Sequence, residues 1–338
     1  MVRKLLASAA IAVTAFVAGT AQAEMSYKPL EQDPKEINFG FISTESTSNL
    51  KEQWMPLIKD MEAALGMKVN PFFAPDYAGI IEAMRFGKVH VGWFGNKSGM
   101  EAVDRAGGEV FAQTSKADGT QGYYSHIITN VANKNINKLE DIFKCDKSLN
   151  FGIGDPNSTS GFLVPSYYVF AQNNIDPKKC FKTVRNANHE TNLMSVAHNQ
   201  VDVAANNSEQ IGRSKLKAPE AAAKIKIIWT SPLIPSDPMV YRKDMSKELK
   251  SKIKAFFLGY GRLGDVAHAK DVLSHISDGQ GPFMESNNTQ LYPVRQLALF
   301  KNKLKIEGNS GLDAQEKATK ISEIDKQLSD LAIMVAAQ

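Results

Sequence analysis

Three consecutive hydroxyl side chains, Ser158, Thr159 and Ser160, could bind an anion. They lie between Gly154 and Gly161, after an apolar run typical of a strand and before an apolar segment long enough for a helix. At the start of a helix the first backbone N–H groups lack a partner inside the helix, and the helix dipole adds positive potential. Together with hydroxyls they form a site for a tetrahedral oxyanion. Plain N-capping by serine is the alternative. The Gly-Lys-Ser/Thr ending of a Walker A loop is missing.

Other side chains could contact such an anion or balance its charge. Tyr77 opens a predicted helix, Tyr123 starts a predicted strand, and a phenol hydroxyl can donate to an oxyanion. His189 begins a His-Glu-Thr-Asn-Leu segment, which lacks the second histidine of a zinc-protease helix, so we predict no metal there. Glu209 and Asp237, taken alone, read as acids of a helix cap or a turn.

The N-terminus has the features of a secretory signal peptide. A short positive region, Arg3 and Lys4, precedes an apolar stretch and the small-residue pattern Ala21-Gln22-Ala23. We therefore expect a signal peptide over residues 1–23, cleavage after Ala23 and export to a periplasm. No cysteine follows the cleavage site, so no lipid anchor is expected. No later segment is apolar over the ~18 residues that a membrane span needs.

Composition narrows the classes of partner. The 338-residue chain has a formal charge of +4 with both signs interspersed, so we expect no nucleic-acid partner. Its two cysteines, Cys145 and Cys180, would reach an oxidising compartment, where pairing is the default. Each precedes an apolar run, and a disulfide is feasible if these runs are neighbouring parallel strands. Two thiols without an adjacent histidine do not make a metal site, and we predict no cofactor.

Strand and helix patterns alternate along the chain, which favours an α/β fold with parallel sheets and helices on both faces. Extended chain near 125–131 and the proline-rich stretch 231–238 are predicted to cross between two lobes. Residues 24–129 and 231–338 then form a first lobe with C-terminal helices, and residues 130–230 form a second. A ligand would lie in the cleft between the lobes, near the carboxyl ends of the strands.

Several motifs resemble those of the phosphonate-binding periplasmic proteins, the substrate-binding components of phosphonate ABC importers. The resemblance runs from about Ile37 to Phe300. It implies a two-lobed periplasmic-binding-protein fold of the type II class, closure around the ligand, and an inner-membrane ABC permease as partner. The motifs are Asn38-Phe39-Gly40-Phe41-Ile42-Ser43-Thr44-Glu45, Ala74-Pro75-Asp76-Tyr77-Ala78-Gly79, Gly154 to Gly161, Asn206-Asn207-Ser208-Glu209 and Pro235-Ser236-Asp237-Pro238.

The resemblance also implies roles for individual residues. The phosphonate would be bound by the three hydroxyls of the loop and by Tyr77, Tyr123 and His189. Glu209 and Asp237 become carboxylates for a ligand ammonium group, because an unpaired buried charge is costly. Two acids favour an aminoalkyl phosphonate, with 2-aminoethylphosphonate first. Phosphate or phosphite binding is the alternative.

Further expectations concern the cleft wall, catalysis and assembly. Relatives can carry tyrosine where this chain has Phe94, which is therefore a candidate for the cleft wall, whereas Trp93 is assigned to the core. No motif for an activated nucleophile is present, so an enzyme that processes phosphonates is the weakest alternative. Leu328, Leu331 and Met334 could line one face of a terminal helix, which suits lobe packing or a homodimer contact equally well.

Overall fold

The computed structural model describes residues 27–277 and 279–336, so the predicted signal peptide lies outside the described residues. The strands are β1 (Ile37–Phe41), β2 (Val69–Phe73), β3 (Val91–Trp93), β4 (Gly108–Gln113), β5 (Gly122–Tyr123), β6 (Ser125–Asn130), β7 (Asn150–Ile153), β8 (Thr183–Asn186), β9 (Val203–Asn207), β10 (Ile225–Thr230), β11 (Ile234–Pro235), β12 (Pro238–Arg242) and β13 (Met284–Glu285).

The α-helices are α1 (Thr47–Leu65), α2 (Tyr77–Arg85), α3 (Asn96–Arg105), α4 (Pro177–Cys180), α5 (His189–Ala197), α6 (Ser208–Lys217), α7 (Pro219–Ala222), α8 (Lys247–Gly259), α9 (Val266–Ile276), α10 (Tyr292–Glu307) and α11 (Ala314–Ala336). Short 3-10 turns occur at Leu139–Ile142, Ala171–Asn173 and Asn288–Leu291, and π-helical turns at Thr159–Leu163 and Ser166–Phe170. No helix in the described ranges is long and apolar enough to cross a membrane.

The strands form one main sheet in each lobe, and apart from the edge strand β13 the two sheets share one topology. The first sheet has the order β13-β4-β12-β3-β1-β2, and the second has the order β10-β6-β9-β7-β8. The prediction of purely parallel sheets is wrong, because β12 runs antiparallel to β3 and β4, and β6 runs antiparallel to β9 and β10. Each of these strands enters its sheet from the cleft, where the parallel strands end, and must therefore run the opposite way.

The crossings between the lobes lie at the cleft. Since β6 starts at Ser125 and pairs within the second sheet, residues 125–129 lie in the second lobe and not, as predicted, in the first. The return crossing lies between Thr230, where β10 ends, and Pro238, where β12 begins. Between the two sheets, β5 and β11 pair in a small antiparallel ribbon.

Each lobe has its own apolar core. Phe39, Phe41 and Phe257 belong to the buried core of the first lobe, whereas Phe151 and Phe181 stack in that of the second. A disulfide joins Cys145 to Cys180. These cysteines precede β7 and β8, which are parallel neighbours, so the bond lies at the edge of the sheet away from the cleft.

The first of the two C-terminal helices, α10, contacts both lobes. Helix α10 packs against α3 of the first lobe and against the π-helical turn at Ser166–Phe170 of the second, and α11 packs along α10. Only Ile324 and Leu331 of α11 are buried. Helix α10 therefore contacts both lobes instead of belonging to the first alone.

Candidate anion-binding site between the lobes

The hydroxyl loop begins a helical segment, as its sequence suggests, but the helix is of the π type. Ser158 is the N-cap, and its side chain accepts a hydrogen bond from Gly161 N at 3.0 Å. The carbonyl of Gly161 accepts a hydrogen bond from Gly154 N at 2.7 Å, which closes the loop. A Cβ on Gly154 would lie 2.6 Å from Gly161 backbone atoms, so only glycine permits this contact.

All three hydroxyls accept hydrogen bonds from N–H donors of the protein. Besides the Ser158 bond, Thr159 Oγ1 accepts from Lys97 N at 2.8 Å and Ser160 Oγ accepts from Asn207 Nδ2 at 3.1 Å. A hydroxyl that accepts in this way still has its own O–H to donate. All three side chains are buried, so donation to an anion in the cleft is worth more than it would be in water.

Tyr77, Tyr123 and His189 surround this loop. The Tyr77 hydroxyl lies beside Ser158, and the Tyr123 hydroxyl lies beside Ser160. Burial, followed by the charge of Asp237, raises the pKa of both phenols, so both keep their proton. His189 Nε2 lies 3.3 Å from Ser158 Oγ, and burial lowers the pKa of His189 to about 3, so its ring is neutral. Neutral hydroxyl and imidazole groups therefore converge on the loop.

Asp237 lies at the other side of Tyr123, next to a cavity of about 50 Å³. A Cβ on Gly95 would lie 3.3 Å from Thr159 Oγ1 and 3.8 Å from Asp237 Oδ1, so the hydroxyl loop and the acid approach the same glycine. Asp237 Oδ1 is buried without a hydrogen-bond partner among the described residues. Burial raises the pKa of this carboxyl to about 7, the Tyr123 hydrogen bond opposes the rise, and the charge of Glu209 adds to it. A cation in the cavity would relieve this cost.

Glu209 also borders the cavity, but it already has partners. Its Oε2 forms an ion pair with Lys116 Nζ at 2.8 Å and accepts a hydrogen bond from the Ser277 hydroxyl. Glu209 lies in the first turn of α6, whose N-cap Asn207 accepts from Gln210 N at 2.7 Å. Asn207 thus connects the helix that carries Glu209 with the hydroxyl loop. No direct bond joins Glu209 and Asp237 in the part of the chain described here.

Trp93, the last residue of β3, belongs to the buried core of the first lobe as predicted, and Phe94 follows directly after the strand. Trp93 borders the cavity, and its indole lies beside Asp237 without forming a hydrogen bond of good geometry. Phe94 is fully buried in the core of the first lobe and does not line the cavity, so the prediction of a cleft wall at Phe94 is wrong. Successive residues of extended chain point to opposite sides, so Trp93 and not Phe94 faces the cavity.

Sequence reasoning missed several residues of this site. Arg213, Lys116, Trp54 and Thr44 also border the cavity. Arg213 follows Glu209 by one helical turn, so the i,i+4 spacing on α6 could have identified it. Lys116 gave no signal, because its position depends on the turn after β4.

The lobes are in contact across the cleft. Glu190, next to His189, accepts hydrogen bonds from Ser46 N and from the Asn49 side chain, both at 2.7 Å. On the other side of the loop, Asp155 accepts from Tyr77 N at 3.3 Å. The structure is therefore a closed arrangement. Among the described residues, no group of three or more His, Cys, Asp or Glu side chains could hold a metal ion.

A ligand cleft between two α/β lobes of this strand order, with helix N-termini from both lobes pointing into it, defines a type II periplasmic binding protein. The model of the family described as the periplasmic substrate-binding protein of the phosphonate ABC transporter matches residues 39–291, and the chain belongs to this family. Members of this family bind substrate for a transporter, so the chain is a phosphonate-binding component of an ABC transporter and not an enzyme.

Individual relatives agree with this assignment. The phosphonates-binding periplasmic protein of Escherichia coli K12 is 54% identical over 301 residues, which cover 89% of this chain and 87% of the relative. The crystal structure of a binding protein component of an ABC phosphonate transporter from Pseudomonas aeruginosa matches with a TM-score of 0.86 and 51% identity, over 90% of this chain and 99% of that one. A phosphate-import protein of Mycolicibacterium smegmatis is 27% identical over 66% of this chain and 71% of its own.

Proposed function

We propose that this protein captures 2-aminoethylphosphonate, holding the phosphonate on the hydroxyl loop and the ammonium group at Asp237 and Glu209. The observation that carries the phosphonate assignment is that Ser158, Thr159 and Ser160 each accept an N–H hydrogen bond. Each therefore has an O–H to donate to an anion. Tyr77 and Tyr123 add phenol donors from the first lobe and the crossing, and neutral His189 adds a ring nitrogen.

The amine assignment is supported by the charge of the cavity wall. Asp237 is a buried carboxyl with an oxygen that lacks a partner, and it lies near a second carboxylate, Glu209. An anion such as phosphate would be repelled by these acids, whereas an ammonium group two carbons from the phosphonate would pair with them. The distance from the hydroxyl loop to Asp237 is short, because both approach Gly95.

Calorimetry with four ligands tests this function. We expect 2-aminoethylphosphonate to bind more tightly than methylphosphonate, and both to bind more tightly than phosphate and phosphite. Tighter binding of phosphate would instead favour the activity for which the more distant Mycolicibacterium relative is named. Equal affinity for the two phosphonates would leave the hydroxyl loop assignment intact and refute the amine assignment.

We infer that the chain is exported through the signal peptide at residues 1–23 and delivers its ligand to an inner-membrane permease. The family assignment supports a periplasmic location. Intact-mass measurement of protein recovered from a periplasmic fraction tests the inferred cleavage. A mature chain that begins at Glu24 is expected, and a retained N-terminus would contradict the inference.

We also infer a homodimer through the C-terminal helices. Ile333, Met334 and Val335 at the end of α11 are exposed, and apolar side chains in a cluster favour association. Light scattering should give the mass of a dimer for the natural protein and of a monomer for Ile333→Lys. Leu263→Lys, at an exposed position in a turn of the first lobe, serves as the matched control and should remain dimeric.

A further inference from the structure

Lys116 lies where the ligand ammonium group is expected. Its Nζ is 2.8 Å from Glu209 Oε2 and 3.4 Å from Ser277 Oγ, at the wall of the cavity that Asp237 also borders. Of the two acids assigned to the ligand amine, one is thus already neutralised by a cation of the protein. Asp237 Oδ1 is buried without a hydrogen-bond partner among the described residues.

The backbone of Lys116 is fixed, whereas its side chain has room to move. Lys116 N donates to Thr120 O and Lys116 O accepts from Gly119 N, both at 2.9 Å, which closes a tight turn. The side chain is 26% exposed and also borders a second, outer groove of about 490 Å³ that contains Asp118, Thr120 and Tyr124. A lysine side chain has a flexible stem of four carbons joined by rotatable bonds, so Nζ can leave the cavity while the backbone stays in place.

The outer groove offers Lys116 another carboxylate. Asp118 is exposed there, and hydrogen bonds from Thr120, with a smaller contribution from the charge of Lys116, lower the pKa of Asp118. The lysine would therefore remain close to an anion after leaving Glu209, and in contact with water. In either position the Lys116 ammonium has a carboxylate nearby, Glu209 in the cavity or Asp118 in the outer groove.

We propose that Lys116 determines the specificity of the cleft: its ammonium neutralises Glu209 when the ligand has no amine, and it moves to the outer groove when the ligand brings an amine of its own. This inference rests on the proposed function. Lys116 makes the site tolerant of simple alkylphosphonates, because such ligands leave Asp237 as the only acid that lacks a cation. Lys116 also reduces the preference for aminoalkyl phosphonates, because their ammonium group must compete with Lys116 for Glu209.

Removing the lysine charge tests the proposal. In Lys116→Met, methylphosphonate would leave Glu209 ionised without a cation, whereas 2-aminoethylphosphonate would supply one. The ratio of the methylphosphonate Kd to the 2-aminoethylphosphonate Kd, measured by calorimetry, should rise at least tenfold over the natural protein. Lys116→Arg retains the charge and should keep the natural ratio. A ratio in Lys116→Met within threefold of the natural one would overturn the proposal.

A second lysine controls for the general loss of positive charge near an anion. Lys97 Nζ lies at the hydroxyl-loop end of the cleft, 3.2 Å from Asn157 Oδ1. Lys97→Met should weaken both ligands alike and leave the ratio unchanged. Asp237→Asn separates this proposal from the proposed function. If Asp237→Asn alters the ratio and Lys116→Met does not, only the Lys116 proposal fails. If neither alters it, the amine assignment itself is wrong.

Discussion

Arg213 of the second lobe forms a buried ion pair with Glu45 of the first lobe. Their side chains are 9% and 2% exposed. Gln53 Nε2 donates to the other oxygen of Glu45 at 3.1 Å, and Gln210 Oε1 accepts from Arg213 at 3.2 Å. The pair exists only when the lobes meet, so it stabilises the closed arrangement without being part of the hydroxyl loop.

Arg213→Met should therefore weaken ligand binding through closure. The substitution leaves Glu45 buried without a cation when the lobes close, at a cost of about 3 kcal/mol, or roughly a hundredfold in Kd. 2-Aminoethylphosphonate and methylphosphonate should lose affinity alike. Small-angle scattering should show a smaller radius of gyration with ligand for the natural protein, and a smaller ligand-induced change for the variant.

Lys217→Met is the matched control for this prediction. Lys217 and Glu52 form another ion pair between α6 and α1, but their side chains are 38% and 66% exposed. An exposed pair contributes at most about 1 kcal/mol, so the affinity should hardly change. The double variant Glu45→Gln and Arg213→Met should recover part of the lost affinity. If Arg213→Met binds both ligands as the natural protein does, the pair does not control closure.

Thr159→Ala should weaken phosphonate binding by about 1–3 kcal/mol, the range for a hydrogen bond to a charged group. It removes the donor to the anion and also the acceptor for Lys97 N. Thr159→Ser retains the hydroxyl and should bind nearly as tightly as the natural protein. Ser158→Ala should have a similar effect on affinity and cost about 1 kcal/mol of stability in addition, because Ser158 is an N-cap. Unchanged Kd values in both alanine variants would refute the anchor assignment.

Asp237→Asn and Glu209→Gln should each weaken 2-aminoethylphosphonate binding by about 2–5 kcal/mol, as expected when one partner of a buried charge pair is removed. Methylphosphonate, which has no ammonium group, should lose little or gain. Calorimetry with both ligands gives the ratio of the two Kd values, which distinguishes acids that bind the ligand amine from acids that are structural. Glu190→Gln serves as the control. Glu190 contacts Ser46 N across the cleft and is not one of the acids at the cavity, so its substitution should affect both ligands equally. Equal losses in the two amide variants of the cavity would mean that their acids are structural.

The raised pKa of Asp237, about 7, predicts how stability without ligand depends on pH. Between about pH 4 and pH 7 the folded state retains a proton that the unfolded state has released. The free energy of unfolding therefore falls as the pH rises through this window, by up to about 4 kcal/mol. Urea unfolding should give natural protein and Asp237→Asn similar stability near pH 4.5, with the variant more stable at pH 8. If the free energy of unfolding changed with pH in the same way for both proteins, Asp237 would not be a buried carboxyl that is costly to ionise.

The disulfide should stabilise the second lobe without affecting the site. It joins residues separated by 35 positions, for which loop-closure entropy gives a contribution of about 4 kcal/mol. The double variant Cys145→Ser and Cys180→Ser should unfold at lower urea concentration and bind ligand with the natural Kd, because the bond lies at the edge of the sheet away from the cleft. A weaker affinity in the folded variant would show coupling to the cleft.

Much of the fold could be predicted from the sequence, because the α/β alternation is local. The fold class is confirmed. Strand β12 was missed, because it follows a proline-rich crossing and its pairing partners are distant in the chain. The helical segment after Ser158 was predicted, but its π geometry depends on contacts between Gly154 and Gly161 that no periodicity reveals.

Part of the candidate site could likewise be predicted from the sequence, and part could not. The hydroxyl loop and Tyr77 could be found because each lies at a helix N-terminus that has a local signature. The ion pairs of Lys116 with Glu209 and of Arg213 with Glu45 could not, because each joins segments that meet only after the lobes close. The assignment of Trp93 to the core is confirmed, but its position at the cavity wall could not be predicted, because apolar composition alone does not show which buried side chains border a cavity.

The positions of the tryptophans allow ligand binding to be followed by intrinsic fluorescence. Trp54 and Trp93 both border the cavity, with ring centroids 5.1 Å apart, and their indole nitrogens lack hydrogen-bond partners among the described residues. The third tryptophan of the chain, Trp229, lies in the second lobe on β10. Indole emission responds to nearby charge and water, so an arriving ammonium group would alter the signal of the paired tryptophans and leave Trp229 as an internal standard. Stopped-flow fluorescence could then follow ligand capture in real time on unlabelled protein.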